Sequence, residues 1–386
     1  MQNTAQPLLA YRISGRPFDL GLIGFALTLP TFFLAIPGGV LIEHVEKRKL
    51  VILMQGMMMT ATLAMAILTL AGMIEIWHIV LLSLFLGIAS AFEITARQAM
   101  LIELVGREGL PNAIALQSTA FNLSRVLGPA LVAPLLLALP APGEGWIFLI
   151  NGFSYTTILL GLIFVRPKFT VQIQARSRPL LEELHEAAGY LMKNSSVRYL
   201  ILAAATLGIF AFPIIQQVPV LSKDLLSQAG DTKAVVDMRN SLIYTAQGLG
   251  ALAAAISIAM NNAAGRRGRR LLLGEAAFIL GMIVIPFSRS LWAAMVLIAL
   301  MGWGAVTQLA TMNTLIQLHV PNSLRGRVFS IYLWAIQGVV PFGSLLVGWL
   351  TQEYSLSSTA MVCGMICLVV IGWIQLFKPE VRRSPG

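Results

Sequence analysis

Charged residues are scarce in this chain of 386 residues. Aspartate, glutamate, lysine and arginine together make up 11% of the sequence, whereas apolar residues make up 57%. A typical soluble domain has about 25% charged residues, which cover much of its surface. The composition therefore argues against a water-soluble fold and favours an integral membrane protein.

Cysteine and histidine are also sparse. The two cysteines, Cys363 and Cys367, lie four residues apart in one apolar run, where a helix cannot join them, so neither a disulfide framework nor a cysteine-based metal site is expected. The four histidines are isolated from one another, and the sequence has no His-Glu-x-x-His or paired-aspartate motif. We therefore expect no metal site, no cofactor and no enzymatic activity.

Eleven apolar runs of membrane-spanning length fill the sequence. An α-helix rises about 1.5 Å per residue, so roughly 20 apolar residues cross a hydrocarbon core of about 30 Å. The sequence thus predicts an all-α integral membrane protein with eleven full spans. The runs are residues 18–42, 50–72, 77–99, 113–138, 147–165, 197–218, 239–260, 271–287, 291–315, 327–350 and 357–377.

Lysine and arginine are unevenly divided between alternate connections. One set of connections holds twenty of the 27 cations, the opposite set holds six, and Arg125 lies inside a span. The richer set faces the cytoplasm by the positive-inside rule, which predicts a bacterial inner-membrane protein with a cytoplasmic C-terminus. No aromatic-basic module accompanies the cations, so nucleic-acid binding is not expected. The net charge of +10 instead reflects the membrane topology and attraction to anionic lipid headgroups. The six cations of the poorer set are Arg12, Arg16, Lys223, Lys233, Arg239 and Arg289.

A weak internal repeat relates the two halves of the chain. The basic connection at residues 47–49, which precedes an apolar run, recurs at residues 268–270, an offset of 221 residues. This repeat predicts two bundles with equal numbers of helices. Residues 1–13 are too short and too polar to cross a membrane alone and lack the pattern of a signal peptide. We expect them to form the outer half of an incomplete first helix, which gives two six-helix bundles.

The longest cytoplasmic connection separates these predicted bundles. Within it, residues 180–191 carry an apolar face at helical spacing, which predicts an amphipathic helix at the membrane surface. A solvated linker with weak helicity is the alternative. The predicted organisation is a first bundle over residues 1–165, a linker over 166–196 and a second bundle over 197–386.

The connection after the first full span combines a small residue, an acid and a pair of cations. An acid in this place can cap the positive N-terminus of a neighbouring helix and pair with a cation. The pattern resembles a loop of the major facilitator superfamily that reads G-x-L-x-D-R-x-G-R-K. Gly39 and Leu41 match this loop, Glu43 stands for its aspartate, Lys47 and Arg48 stand for its basic pair, and His44 and Glu46 depart from it.

Longer stretches are similar to the branch of this superfamily that includes the enterobactin exporters, the transmembrane secretion effector type. They are residues 91–99, 103–105, 110–116, 122–130, 320–321 and 324–328. The resemblance implies two six-helix bundles. It also implies a gating relay in which Glu93 meets Lys47 and Arg48, while Arg97 meets Glu43. Solvated charges at a helix end are the alternative.

Arg125 lies near the middle of a span, where an unpaired cation costs at least roughly 3 kcal/mol. Ser118 and Asn122 fall seven and three residues before it, so the three side chains share one helix face. This face predicts a contact for an anionic or polar substrate or for a coupling acid. The alternative is a structural pair with a polar group on a neighbouring helix.

Other polar residues inside spans are candidates for the lining of a transport cavity or for packing between helices. The resemblance favours those on the first helix of each three-helix unit, because such helices line facilitator cavities. In the span that contains Arg125, Gly128 and Pro129 match the core of the signature that antiporter members carry in their fifth helix, and they predict a helix bend. The favoured residues are Gln216, Gln217 and Gln308, with Asn3, Thr4 and Gln6; Tyr244 and Gln247 are further polar residues in spans.

The resemblance implies a secondary active transporter, acting as a monomer in the lipid bilayer. We expect it to export a small amphipathic or hydrophobic molecule, such as a siderophore or drug, by alternating access, with protons as the antiported ion. Uptake or lipid flipping by the same motion is an alternative. A transport-dead truncated homologue is another.

Overall fold

The computed structural model describes residues 1–43, 45–164, 180–260, 267–321 and 324–382. These residues are helical almost throughout and include no strand. The helices are α1 (Gln2–Ser14), α2 (Pro17–Glu43), α3 (Lys47–Leu70), α4 (Ile76–Gly106), α5 (Glu108–Ala138), α6 (Gly143–Phe164), α7 (Leu180–Lys193), α8 (Ser195–Leu225), α9 (Lys233–Met260), α10 (Arg267–Phe287), α11 (Leu291–His319), α12 (Arg325–Glu353) and α13 (Leu356–Phe377).

Eleven of these helices are long and apolar enough to cross a membrane, as the sequence predicts. The two others are α1 and α7. The 13-residue α1 extends about 20 Å at the usual helical rise. It packs against α2, α6, α8 and α9, and most of its residues from Thr4 to Tyr11 are buried. Residues 1–13 therefore belong to the helical core of the first bundle.

Helix boundaries differ from the prediction where α4 meets α5. The predicted span ends at residue 99, but α4 continues to Gly106 because residues 100–105 remain apolar apart from Glu103. Gly106 has a φ of 70°, a conformation that glycine adopts without steric cost. This glycine turns the chain directly from α4 into α5.

Helices α1–α6 form one bundle and α8–α13 form the other. Across the two halves, α2 packs against α12 and α5 packs against α9. The α2–α12 contact is close, because a Cβ atom on Gly21 would lie 2.3 Å from the carbonyl oxygen of Ser344. Further along, the ring of Phe32 lies 5.0 Å from that of Trp334 and 5.2 Å from that of Phe342.

Short connections between successive spanning helices alternate between the two ends of the molecule. We call the end with the α2–α3, α4–α5, α9–α10 and α11–α12 connections the basic end, since these connections are rich in lysine and arginine. The opposite end, with the α1–α2, α3–α4, α5–α6, α8–α9, α10–α11 and α12–α13 connections, is the cation-poor end.

Two spanning helices depart from regular geometry. Helix α8 contains a π-helical turn at Leu207–Ala211 and a 3₁₀ segment at Phe212–Gln217, which includes Pro213. Helix α12 contains a π-helical turn at Trp334–Gly338, just before Pro341. Inside a membrane, irregular backbone is tolerated where it is buried in protein or lines a cavity. The irregular segments of α8 and α12 therefore mark interior positions, and the 3₁₀ segment of α8 borders a cavity between the bundles.

The amphipathic helix α7 forms and packs on the second bundle at the basic end. Glu186 pairs with Arg327 at 2.5 Å, and the Tyr190 hydroxyl donates a hydrogen bond to the His319 carbonyl oxygen at 2.8 Å. Ala187 between them is fully buried. The helix is thus attached to α11 and α12 by polar contacts as well as by its apolar face.

The contact between α9 and α11 depends on glycine. A Cβ atom on Gly250 would lie 1.8 Å from the Ala299 carbonyl oxygen, whereas one on Gly161 would meet no atom within 4 Å. We expect Gly250→Ala to lower the free energy of unfolding by about 1–3 kcal/mol, because the helices must separate. Gly161→Ala should leave it unchanged. Unfolding of the purified protein in mixed micelles measures both, and equal stability of the two variants would contradict the packing.

Candidate functional site

A cavity of about 670 Å³ lies between the two bundles. Helices α1, α2 and α5 of the first bundle and α8 and α9 of the second form its walls. Leu20, Ile23 and Phe121 give it an apolar surface, while amide, hydroxyl and guanidinium groups supply polar atoms. The polar lining residues are Asn3, Thr4, Gln6, Ser124, Arg125, Gln216, Tyr244 and Gln247.

Among the described residues, Arg125 is the only charged side chain in this lining. It lies where α5 crosses α9 so closely that a Cβ atom on Gly248 would come within 2.4 Å of the Arg125 carbonyl oxygen. Its guanidinium carbon lies 5.8 Å from the ring centroid of Phe121. Within the described ranges, no carboxylate lies close enough to Arg125 for an ion pair. The cation therefore faces the cavity without a counter-ion.

Gln216 is the second predicted residue that lines the cavity. Its Oε1 atom has no hydrogen-bond partner among the described residues. Gly24 on α2 makes room for it, since a Cβ atom at Gly24 would lie 1.9 Å from that oxygen. Asn3, Thr4 and Gln6 on α1 also line the cavity.

Three predicted lining residues lie elsewhere. Gln217 is buried against α2, where its Nε2 donates to the Pro17 carbonyl oxygen at 3.4 Å, because the 3₁₀ turn directs neighbouring side chains apart. Gln308 is fully buried in the second bundle beside Gly274 on α10. Ser118 lies on α5 but outside the lining. The side chain of Asn122 falls outside the described part of the structure.

The predicted bend at Gly128 and Pro129 is not accompanied by a break in the helix. Gly106 is the residue with non-helical torsion angles between Ile76 and Ala138. Pro129 nevertheless lines the cavity, and Gly128 lies close to Met1, since a Cβ there would be 2.9 Å from the Met1 nitrogen. A small residue at position 128 is therefore needed for the approach of α1.

Polar links join the two bundles at the cation-poor end. The Tyr11 hydroxyl donates to the carboxylate of Asp224 on α8, and Arg12 pairs with Asp237 on α9. Arg12 also pairs with Glu144 at the start of α6. None of these residues was a predicted site residue, because nothing in a single sequence indicates that residues more than 130 positions apart are partners.

Beside these links, Arg239 and Asp231 form an ion pair within the second bundle. Arg239 is buried and donates to Asp231 at 2.9 Å and to the Ser222 carbonyl oxygen at 2.8 Å. Hydrogen bonds from Arg239 and from the backbone N–H of Gln228 hold the pKa of the Asp231 carboxyl below its usual range. The α8–α9 connection is thereby fixed beside the interface.

The members of the predicted gating relay have other partners in this structure. Lys47 pairs with Glu103 at 3.1 Å, and Arg48 donates to the Leu162 carbonyl oxygen at 2.8 Å. Glu93 is buried, pairs with Arg97 one turn later at 3.1 Å and accepts a hydrogen bond from Gln55 at 2.9 Å. These contacts lie within the first bundle, because Glu93 is one helical turn from Arg97 and faces α3. The side-chain surroundings of Gly39 and Glu43 are outside the described part.

The charge links of the described residues therefore differ between the two ends. At the cation-poor end one ion pair, Arg12–Asp237, joins the first bundle to the second, whereas at the basic end each ion pair stays within one bundle or joins it to α7. This is the arrangement expected of two bundles that separate at one end while they remain joined at the other.

Comparison with known proteins agrees with this geometry. The model of a major facilitator family described as transmembrane secretion effectors matches residues 1–383. The chain belongs to this family. Its members include membrane transporters, and the chain is accordingly a multi-span transporter rather than an enzyme.

Curated relatives of this transporter are similar over most of their length. The multidrug efflux pump Tap of Mycolicibacterium fortuitum is 21% identical over 98% of this chain and 91% of its own. The enterobactin exporter EntS of Salmonella choleraesuis is 26% identical over 94% of this chain and 84% of its own.

Solved structures of the same fold include a mutant of the nucleoside transporter NupG and a bacterial homologue of the human lysosomal transporter Spinster. The first has a TM-score of 0.76 at 12% identity and covers 97% of this chain and 95% of its own. The second, in an inward-facing and occupied conformation, has a TM-score of 0.71 at 13% identity and covers 100% and 94%. These likenesses confirm the major facilitator fold.

Substitution of Arg125 separates a cavity contact from a structural ion pair. We expect Arg125→Met to leave thermal stability in detergent unchanged or to raise it, because a cation without a counter-ion is removed from the membrane interior. Arg239→Met is the matched control and should lose about 1.5–3 kcal/mol, because it breaks buried charge-assisted hydrogen bonds. A loss at Arg125→Met as large as at Arg239→Met would indicate a structural pair instead.

Proposed function

We propose that this transporter exports a small amphipathic molecule across the bacterial inner membrane by alternating access, in exchange for protons. The observation that carries the proposal is the cavity between two bundles whose ion-pair links lie at one end. The bundles would rock about this cavity and expose it to each face in turn. The relatives that are named as an efflux pump and as enterobactin exporters support export.

The orientation follows from the distribution of cations. The basic end faces the cytoplasm by the positive-inside rule, and the C-terminus lies on the same side. The cation-poor end, where Arg12 and Asp237 join the bundles, then faces outward. In the described state the outer side is closed by these links, and the cavity is ready to receive substrate from the cytoplasm.

The chemistry of the lining supports an anionic or polar headgroup on an apolar body. Among the described side chains that line the cavity, Arg125 is cationic and none is a carboxylate, so a cationic substrate would meet repulsion without a compensating partner. Leu20, Ile23 and Phe121 suit an apolar body, and amide and hydroxyl groups can orient its polar part. The volume of about 670 Å³ lies within the range of about 300–1,000 Å³ common for small-molecule sites. A siderophore or a drug of this chemistry fits.

The relay of Gly39, Glu43, Lys47, Arg48, Glu93 and Arg97 remains our proposal for closure of the basic end. In the described state Lys47 and Glu93 are held by Glu103, Arg97 and Gln55 within the first bundle. Exchange of these partners would accompany the movement that closes the cytoplasmic side.

Everted membrane vesicles with a respiration-acidified lumen test the direction, the coupling and the substrate class. We expect them to take up the anionic dye carboxyfluorescein in preference to the cationic dye ethidium, and we expect nigericin to abolish the uptake. Arg125→Gln should reduce uptake at least about ten-fold, the equivalent of about 1.4 kcal/mol, because it removes the one cation of the cavity.

Arg289→Gln provides the matched control, because Arg289 is an exposed cation outside the cavity. This variant should keep wild-type uptake. Preference for ethidium would contradict the substrate class. Accumulation only in right-side-out vesicles would contradict export and would indicate uptake into the cell.

A further inference from the structure

Arg12, Glu144 and Asp237 form a charge cluster between the bundles, which we call the Arg12 cluster. Arg12 lies at the end of α1, Glu144 in the first turn of α6 and Asp237 in the second turn of α9. The guanidinium pairs with both carboxylates. Glu144 is 0% exposed and Asp237 is 5% exposed. Two buried acids from opposite bundles thus share one cation, whose side chain is 26% exposed.

The charges of the cluster do not balance. Two carboxylates and one guanidinium sum to −1, and the transfer of an uncompensated charge from water into a buried site is costly. Glu144 Oε2 has no hydrogen-bond partner among the described residues, although it is buried. One proton brings the charge to zero and converts one carboxylate into a hydrogen-bond donor. The proton belongs to the pair of acids rather than to either one alone.

Neighbouring charged groups do not remove this imbalance. Lys233 lies one turn before Asp237 but is exposed to solvent, which screens its charge. Asp224 bonds the Tyr11 hydroxyl and Lys223 lies 4.9 Å from the centroid of the same ring. Asp231 and Arg239 are paired with each other. Lys233 acts on Asp237 only across the helical turn between them, and within the described residues no cation other than Arg12 forms an ion pair with either acid.

A polar stripe on α9 connects the cluster with the cavity. Asn240 and Ser241 follow Asp237 by about one turn and are buried, with no hydrogen-bond partner for their side chains in the described part of the protein. Tyr244 and Gln247 continue this face by one and two further turns, and both line the cavity. Buried polar groups without protein partners are the places where water binds inside proteins. The stripe offers a hydrated route from the cluster toward the basic end.

We propose that the Arg12 cluster is the binding site of the antiported proton. The proton enters from outside when the bundles separate at the cation-poor end, is retained by Glu144 and Asp237 when that end closes, and leaves through the α9 stripe to the cavity and the cytoplasm. No bond other than O–H forms or breaks, and the carboxyl pair returns to its starting charge. The inference rests on the proposed antiport.

The sign of the pH dependence follows from the separation of the bundles. When they part, Asp237 leaves with α9 and meets water, whereas Glu144 keeps Arg12 within the first bundle. The joined state holds both acids on one cation and therefore binds the proton more tightly than the separated state. A fall in pH must favour the joined state, and a rise in pH must favour separation at this end.

Distance measurements between spin labels on the two bundles test this inference without any substrate. Arg16→Cys and Thr232→Cys place labels on exposed residues at the cation-poor end, while the native Cys363 and Cys367 are fully buried. In purified protein we expect the ratio of long to short distances to rise between pH 5 and pH 8, by at most about ten-fold per pH unit for one proton.

Removal of either acid should abolish this response. Asp237→Asn and Glu144→Gln each leave a neutral pair with Arg12, so the joined state needs no proton and its population becomes independent of pH. Asp237→Glu keeps the second acid and should retain the response. Asp224→Asn is the matched control and should also respond, because it removes a carboxylate that bonds a neutral hydroxyl at the same end.

The outcomes separate this inference from the proposed function. A wild-type protein without a pH response, or acid variants that keep it, would overturn the proton site. If Asp237→Asn does not fold, Glu144→Gln alone decides the result. Loss of dye transport with an intact distance response would contradict the proposed export while the proton site stands.

Discussion

Every polar group that enters the hydrocarbon core must find a partner within the protein or in a water-filled cavity, because lipid supplies none there. This constraint makes the chain helical almost throughout and confines irregular backbone to interior segments of α8 and α12. It also explains where polar side chains occur. Arg125, Gln216 and Tyr244 lie between the bundles, where a cavity provides room for water and substrate. Separation of the bundles thus changes the partners of polar groups more than those of apolar ones.

The interface between the bundles combines close backbone contact with unbalanced charge. Glycines at Gly21 and Gly248 let α2 approach α12 and α5 approach α9, with room for no larger residue at either crossing. Arg125 lacks a counter-ion among the described residues, and the Arg12 cluster has one acid more than its cation can neutralise. Substrate and proton would each complete one of these sites. Antiport then follows if the substrate and the proton bind in different conformational states of the same two bundles.

The sequence predicted the spans well and the partners of polar residues poorly. Apolar runs and the cation count indicate which segments cross the membrane, because both are local properties, and the cost of a cation inside a span singled out Arg125. Gln217 and Gln308 were predicted to line the cavity and lie outside the described lining in this state, since a 3₁₀ turn and the rotation of α11 decide which way a side chain faces. Arg12, Glu144 and Asp237 were missed because their partnership depends on how three distant helices meet.

Reactivity of a single cysteine in the cavity tests alternating access most directly. Gln216→Cys can be exposed to a membrane-impermeant thiol reagent from either face, with Gln308→Cys in the buried interior of the second bundle as the unreactive control. Alternating access predicts reciprocal labelling: conditions that raise the rate from the basic end lower the rate from the cation-poor end. Rates that rise and fall together at both faces, as in an open pore, would contradict the mechanism.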